Sequence, residues 1–181
     1  ALFDKAVKTY GRLDVLVNNA GVASGQPTED ITLDYWREVL DINITAAFLC
    51  SRAAIRIMKA QQPQGGRIIN IGSSSAKTPR PDSICYTTTK FALQGMTHQI
   101  TMDGRKYGVS SSVIHPGGTL SSFSTRRGRM TAGPGEKPED YLMHPADVAR
   151  VATLMAALPD EVNLYEATIL PNHMRSFIGR G

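Results

Sequence analysis

Asp14-Val15-Leu16-Val17-Asn18-Asn19-Ala20-Gly21 reads as a short apolar strand that runs into a tight polar turn. The residues before it, Ala1-Leu2-Phe3-Asp4-Lys5-Ala6-Val7, carry the apolar spacing of a helix. Outward from this helix-then-strand unit the same alternation repeats. Residues 1–10 are predicted as helix, 13–18 as strand, about 32–60 as one long helix and 67–72 as strand. About 84–107 follow as helix, 109–115 as strand, 145–157 as helix and 164–170 as a last strand. Strands alternating with helices imply a parallel sheet covered on both faces, an α/β fold in three α/β/α layers.

Length and composition agree with that fold and narrow the function classes. At 181 residues with 41% hydrophobic content, one domain spanning 1–181 with a sizeable core is the default. No apolar run of membrane-spanning length occurs, and the first residues lack the shape of a signal peptide, so no membrane association is expected. The net charge of +4 is modest and dispersed, which gives no footprint for nucleic acid. Cys50 and Cys85 lie in apolar settings with neither a metal-ligand spacing nor a disulfide framework. No metal is expected, and a reducing, cytoplasmic location is the reading they favour. The stretch of about 118–144, rich in Ser, Arg, Gly and Pro, is longer than a simple connection and is expected to form a lid or substrate loop.

The chemistry concentrates in Cys85-Tyr86-Thr87-Thr88-Thr89-Lys90. Tyr86 and Lys90 stand four residues apart, which puts a phenol and an ammonium on one helix face. The ammonium favours phenolate over phenol and draws the tyrosine pKa from about 10 toward neutrality, where it can exchange a proton with an alcohol or carbonyl. A shift of roughly three units corresponds to about 4 kcal/mol, which takes a dry pocket and a second cation nearby as well as one lysine. With six tyrosines in 181 residues, one Tyr-x-x-x-Lys pair carries little weight alone.

Its weight comes from three further segments in a fixed order. They are the Asn18-Asn19-Ala20-Gly21 turn, Leu40-Asp41-Ile42-Asn43 within a helix, and Ile114-His115-Pro116-Gly117-Gly118-Thr119 after a third strand. With Ser73-Ser74-Ser75 upstream of the tyrosine, the set resembles the short-chain dehydrogenase/reductase family over nearly the whole chain. The resemblance implies a Rossmann-type, doubly wound sheet and an NAD(P)-dependent oxidoreductase that moves hydride between a nicotinamide and a secondary alcohol or ketone. It implies a small-molecule alcohol or carbonyl substrate, NAD or NADP as cofactor, and a homodimer or homotetramer.

It also implies roles. Tyr86 would be the general acid/base, and Lys90 would lower its pKa and hydrogen-bond the nicotinamide ribose. Ser73, thirteen positions before the tyrosine, would hold and polarise the reacting oxygen, and Asn43 would hold a water that links Lys90 to solvent. Asn18, Asn19, Ala20 and Gly21 would lie beside the ribose and stabilise the central sheet. Pro116 and Gly117 would let the backbone approach the ligand, while Thr119 and Ser121 would bond the carboxamide; the family usually has Thr where this chain has Ser121.

One departure stands out. Family members open with a strand and a Thr-Gly-x-x-x-Gly-x-Gly turn that sets the cofactor pyrophosphate on a helix N-terminus. This sequence contains no such segment, so the reading is a chain whose N-terminal strands are missing. The residue that selects NAD or NADP would be missing with them. A second hypothesis follows, that the chain is catalytically incompetent and serves as a pseudoenzyme or oligomerisation module, with Val15–Val17 as an exposed apolar edge.

Several residues keep plainer readings beside functional ones. Ser74 or Ser75 could replace Ser73 as the donor, or all three could form only a polar turn. Asn43 is a poor helix former, so the helical ladder is expected to be interrupted there. His115 is read as a strand-end residue rather than a base, and Arg126, Arg127 and Arg129 as a solvated basic loop. Trp36, Phe48, Met58, Phe91 and Met96 fall at helical spacings that suit a core or a subunit contact. Residues 175–181 are read as a tail that reaches a neighbouring subunit.

Overall fold

In the computed structural model, which describes residues 2–23, 25–121 and 141–174, four strands form one sheet. β1 (Val15–Asn18), β2 (Gly66–Ile71), β3 (Val109–Pro116) and β4 (Glu166–Ile169) lie side by side in chain order, every pair parallel. The register sets Val17 beside Ile69, Ile69 beside Ser112, and Ile114 beside Ala167. Parallel neighbours need a crossover, and helices supply it. The crossovers run through α2 (Leu33–Leu40) and α3 (Ala46–Ala60), then α4 (Ile84–Gly104), then α5 (Pro145–Ala157), while α1 (Leu2–Tyr10) precedes β1.

Because strand side chains alternate between faces, the core divides in two. On one face Ile68 and Val109 pack with Ala54 and Met58 of α3 and Ile100 of α4. On the other, Ile69 and Ile114 pack with Met155, Val148 and Val151 of α5. Sheet and helices together make the three-layer α/β/α fold that the alternation predicts. Met58 and Met96 join this core, whereas Phe48 and Phe91 are about half exposed, at 48% and 46%.

The expected single helix over 32–60 is three pieces. Thr32 caps α2 by accepting from the Tyr35 amide at 3.2 Å, a π-helical turn spans Asp41–Thr45, and α3 then runs on. A π turn inserts one residue into the ladder, and it falls on the residue expected to interrupt it, Asn43. The helix predicted to run to 107 closes in a 3-10 turn over Arg105–Tyr107, and the last strand is shorter than 164–170.

Two polar features tie the layers. A belt crosses the sheet in which Asn18 Nδ2 donates to Asn70 Oδ1 (2.8 Å) and to Ser51 Oγ (3.0 Å), while Asn70 Nδ2 donates to Thr97 Oγ1 (2.9 Å). At the opposite end of β2, the buried Arg67 guanidinium donates to the carbonyls of Leu158, Pro159 and Val162 at 2.6, 2.6 and 3.0 Å. It thereby satisfies carbonyls where α5 ends, a place where cations are favoured.

Among the described residues β1 pairs only with β2, and its Val17 is 45% exposed. Most of the expected lid, with Arg126, Arg127 and Arg129, lies outside the described residues, as does the 175–181 tail. The two stems of that loop meet: Leu120 N donates to Met143 O and Met143 N to Gly118 O, both at 2.9 Å. No helix among the described residues is long and apolar enough to cross a membrane.

Candidate active site

In an open parallel sheet the carboxyl ends of the strands leave a crevice. Asn18, Ile71 and Pro116 end their strands, and the predicted segments 18–21, 73–75 and 116–119 lie at those ends. α4 runs past these ends and presents Tyr86 and Lys90, which are 8% and 5% exposed. The Lys90 ammonium lies 5.4 Å from the centroid of the Tyr86 ring, as the four-residue spacing requires.

Lys90 Nζ donates to the carbonyl of Ile71 at 2.7 Å, at the very end of β2. No carboxylate pairs with it among the described residues, and burial lowers its pKa to about 8. The cause is desolvation: water no longer stabilises the charge of an ammonium so placed.

The π turn aims Asn43 at the same place. Its Oδ1 accepts from Val22 N at 2.8 Å, and its Nδ2 donates to Val22 O at 2.9 Å and to Thr89 Oγ1 at 3.1 Å. Thr89 Oγ1 in turn donates to the Tyr86 carbonyl at 2.8 Å. Asn43 thus fastens the loop after β1 to the helix that carries the tyrosine. Gly21 completes the contact: a Cβ there would stand 3.4 Å from Asn43 Oδ1 and 3.9 Å from Lys90 Nζ. Gly21 thus brings the β1 loop into contact distance of both the amide and the ammonium.

Ser73 is extended (φ −171°, ψ 152°), and its hydroxyl caps the short turn Ser74–Ala76 by accepting from Ser75 N at 3.1 Å. Ser73 follows the Ile71 carbonyl that holds Lys90 by two residues, and all three serines are buried. His115 Nδ1 lies 3.3 Å from Ser73 N and 3.0 Å from Ser73 O.

Other predicted positions divide. Gly21, Asn43, Tyr86 and Lys90 are gathered into one cluster. The Asn18 side chain instead points into the belt across the sheet, so it serves the sheet, and Asn19 and Ala20 are exposed on the loop. Gly117 N donates to Ile169 O at 2.8 Å, and a Cβ at Gly117 would stand 2.8 Å from Leu170 Cδ2. The close approach at Pro116-Gly117 is therefore to the chain after β4. Thr119 Oγ1 donates to Gly117 O at 3.1 Å, and Ser121 is exposed at the rim.

Two participants escape a reading of the sequence. Thr89 is one of three consecutive threonines, with nothing local to distinguish it from Thr87 or Thr88. His115 is indeed a strand-end residue, but only the fold reveals that it backs onto Ser73.

Comparison with known proteins bears on the family and the fold. The short chain dehydrogenase family matches residues 1–131. An uncharacterized oxidoreductase, YohF, of Escherichia coli K12 is 41% identical over 114 residues, covering 63% of this chain and 45% of that protein. A 3beta-hydroxysteroid dehydrogenase of Mediterraneibacter gnavus is 33% identical over 180 residues, covering 94% of this chain and 63% of the relative. The crystal structure of acetoin dehydrogenase YohF from Salmonella typhimurium superposes with a TM-score of 0.76 at 26% identity, over 92% of this chain and 66% of that one. The chain thus spans less than two thirds of the length of both curated relatives. A parallel sheet ending in a Tyr-x-x-x-Lys helix, with a family match over most of its length, makes this chain a member of the short chain dehydrogenase family.

Proposed function

We propose that the protein is an NAD(P)-dependent oxidoreductase acting on a secondary alcohol or the corresponding ketone, with Tyr86 as its general acid/base. The observation that carries this reading is the Lys90 ammonium, buried without a carboxylate partner among the described residues beside the Tyr86 ring. In oxidation, the Tyr86 oxygen takes the hydroxyl proton as hydride leaves the carbinol carbon; in reduction it returns the proton to the new alkoxide. Lys90 stabilises negative charge on the Tyr86 oxygen, and the Ser73 hydroxyl donates to the reacting oxygen, as a neutral donor suited to alcohol and carbonyl alike.

A nicotinamide bound here supplies the carbon that takes up or gives back the hydride. The residues fit such a group. Gly21 sets the loop after β1 close to Lys90 Nζ, which suits a ribose hydroxyl held between them, and Asn19 and Ala20 are exposed on the same loop. Thr119 and Ser121 would hold the carboxamide. Asn43 keeps the β1 loop and α4 together and steadies a water between Lys90 and solvent. The names of the relatives, a hydroxysteroid and an acetoin dehydrogenase, support a secondary alcohol as substrate class.

The half-exposed Phe48 and Phe91 on α3 and α4 support a homodimer or homotetramer, and the free cysteines Cys50 and Cys85 support a reducing, cytoplasmic setting. The outer edge of β1, with Val17 exposed, favours a second reading: a chain that assembles through this edge and has no turnover.

Two measurements test the proposal. Titration with NADH and with NADPH, followed by nicotinamide fluorescence, is expected to saturate. In the protein with its complete coding sequence, Tyr86→Phe is expected to lower kcat by about 10²–10⁴-fold while cofactor binding persists. A Tyr86→Phe variant with undiminished kcat overturns the mechanism.

A further inference from the structure

His115 is fully buried on β3, and its Nε2 has no hydrogen-bond partner. An orphaned buried nitrogen costs about 1–3 kcal/mol, and an apolar residue of similar size would avoid that cost. What the imidazole gains lies at its other nitrogen. Nδ1 lies within hydrogen-bond distance of both main-chain polar atoms of one residue, Ser73.

The two tautomers hold Ser73 differently. With the proton on Nε2, Nδ1 accepts from the Ser73 amide; with the proton on Nδ1, it donates to the Ser73 carbonyl. Either way the imidazole grips the backbone of Ser73 and leaves Nε2 bare. Burial is the largest influence on this imidazole and lowers its pKa below the usual range, so at neutral pH it keeps a lone pair for this contact. Glu166 of β4 favours the cation, while Lys77 after β2 and Lys90 of α4 oppose it.

Space for the ring exists because residue 72 is glycine. A Cβ at Gly72 would lie 2.6 Å from His115 Nδ1, 2.9 Å from its Cε1 and 3.0 Å from Ile114 O. Gly72 N also donates to Ile114 O at 2.7 Å, so β2 and β3 stay joined up to the serine. Ser73 itself lies beyond the last β2 residue and outside the sheet ladder; its carbonyl accepts from Ala76 N at 2.9 Å, within the turn that follows.

We propose that His115 is a positioning residue: seated in the space that Gly72 leaves, it clamps the main chain of Ser73 and so fixes the direction of the Ser73 hydroxyl. This inference rests on the reading of Ser73 as donor to the reacting oxygen. The clamp acts through the serine and touches no substrate. Its loss therefore affects the chemical step more than binding, since a donor misplaced by about 1 Å can cost about 10²-fold in rate.

The test uses the protein with its complete coding sequence, assayed for oxidation of a secondary alcohol. His115→Leu fills the space without a polar atom, and His115→Asn restores one near the place of Nδ1. His115→Leu is expected to lower kcat about 10–100-fold with KM and NAD(P)H affinity within about twofold, and His115→Asn to recover most of the loss. Unchanged kcat in His115→Leu, or an Asn variant as impaired as the Leu variant, overturns the clamp.

Ser73→Ala separates the two readings. If Ser73→Ala is impaired and His115→Leu is not, only the clamp fails; if Ser73→Ala is fully active, the role given to the serine fails with it. Should His115→Leu not fold, nitrogen-15 NMR of the parent protein decides. One dominant His115 tautomer with a slowly exchanging Ser73 amide supports the clamp, whereas a solvent-like tautomer mixture with fast exchange overturns it.

Discussion

Lys90 shows how a single residue couples chemistry to stability. Its pKa is lowered to about 8 from the ordinary 10.5 because burial disfavours the charged form. Between those values the unfolded chain still holds a proton that the folded chain has released, so stability rises as pH climbs from about 8 to 10.5. Below 8 both states are protonated and the cost of the buried charge is constant. We expect the urea midpoint to increase over this window, and Lys90→Met to remove that part of the increase; parallel pH profiles for parent and variant would refute it. Tyr86 and Lys90 were legible in the sequence because their relation is local, four residues along one helix. Thr89 and His115 were not, because their partners lie 46 and 42 residues away and only the packed sheet brings them close.

At the scale of elements, the π turn over Asp41–Thr45 is where sequence and structure meet most closely. A poor helix former in an apolar stretch announced an interruption, but its form, one extra residue within a continuous helical path, depends on the loop that Asn43 reaches. Three hydrogen bonds leave that side chain, two to Val22 and one to Thr89. Asn43→Ala leaves those groups without their partner, so we expect a loss of about 2–4 kcal/mol in urea denaturation. A smaller loss than for an exposed alanine substitution on α3 would show that the turn holds without the amide. The helix predicted for 32–60 holds as a path and changes only its hydrogen-bond pattern at the π turn: periodicity reports a face toward the core, and an insertion of one residue shifts that face without ending the pattern.

Over the whole molecule, alternation of strand and helix in the sequence was enough for the parallel, three-layer fold, since parallel neighbours must be joined by crossovers. It did not reveal how the last crossover is secured. Arg67 shows nothing unusual within Arg67-Ile68-Ile69, yet its guanidinium reaches the carbonyls of Leu158, Pro159 and Val162. We expect Arg67→Met to destabilise the protein by about 3 kcal/mol, measured by urea denaturation, because three carbonyls after α5 lose a charged donor. A loss below 1 kcal/mol would mean that water replaces the guanidinium without penalty.

That one side chain also sets the order in which the molecule comes apart. The guanidinium holds three carbonyls at once, so the segment between α5 and β4 is tied to β2 at several points. With Arg67 in place, the amide protons of β4 should exchange with solvent only when the neighbouring strands do. Without it, α5 and β4 are expected to open first, as a separate cooperative unit, while the rest of the sheet is still folded.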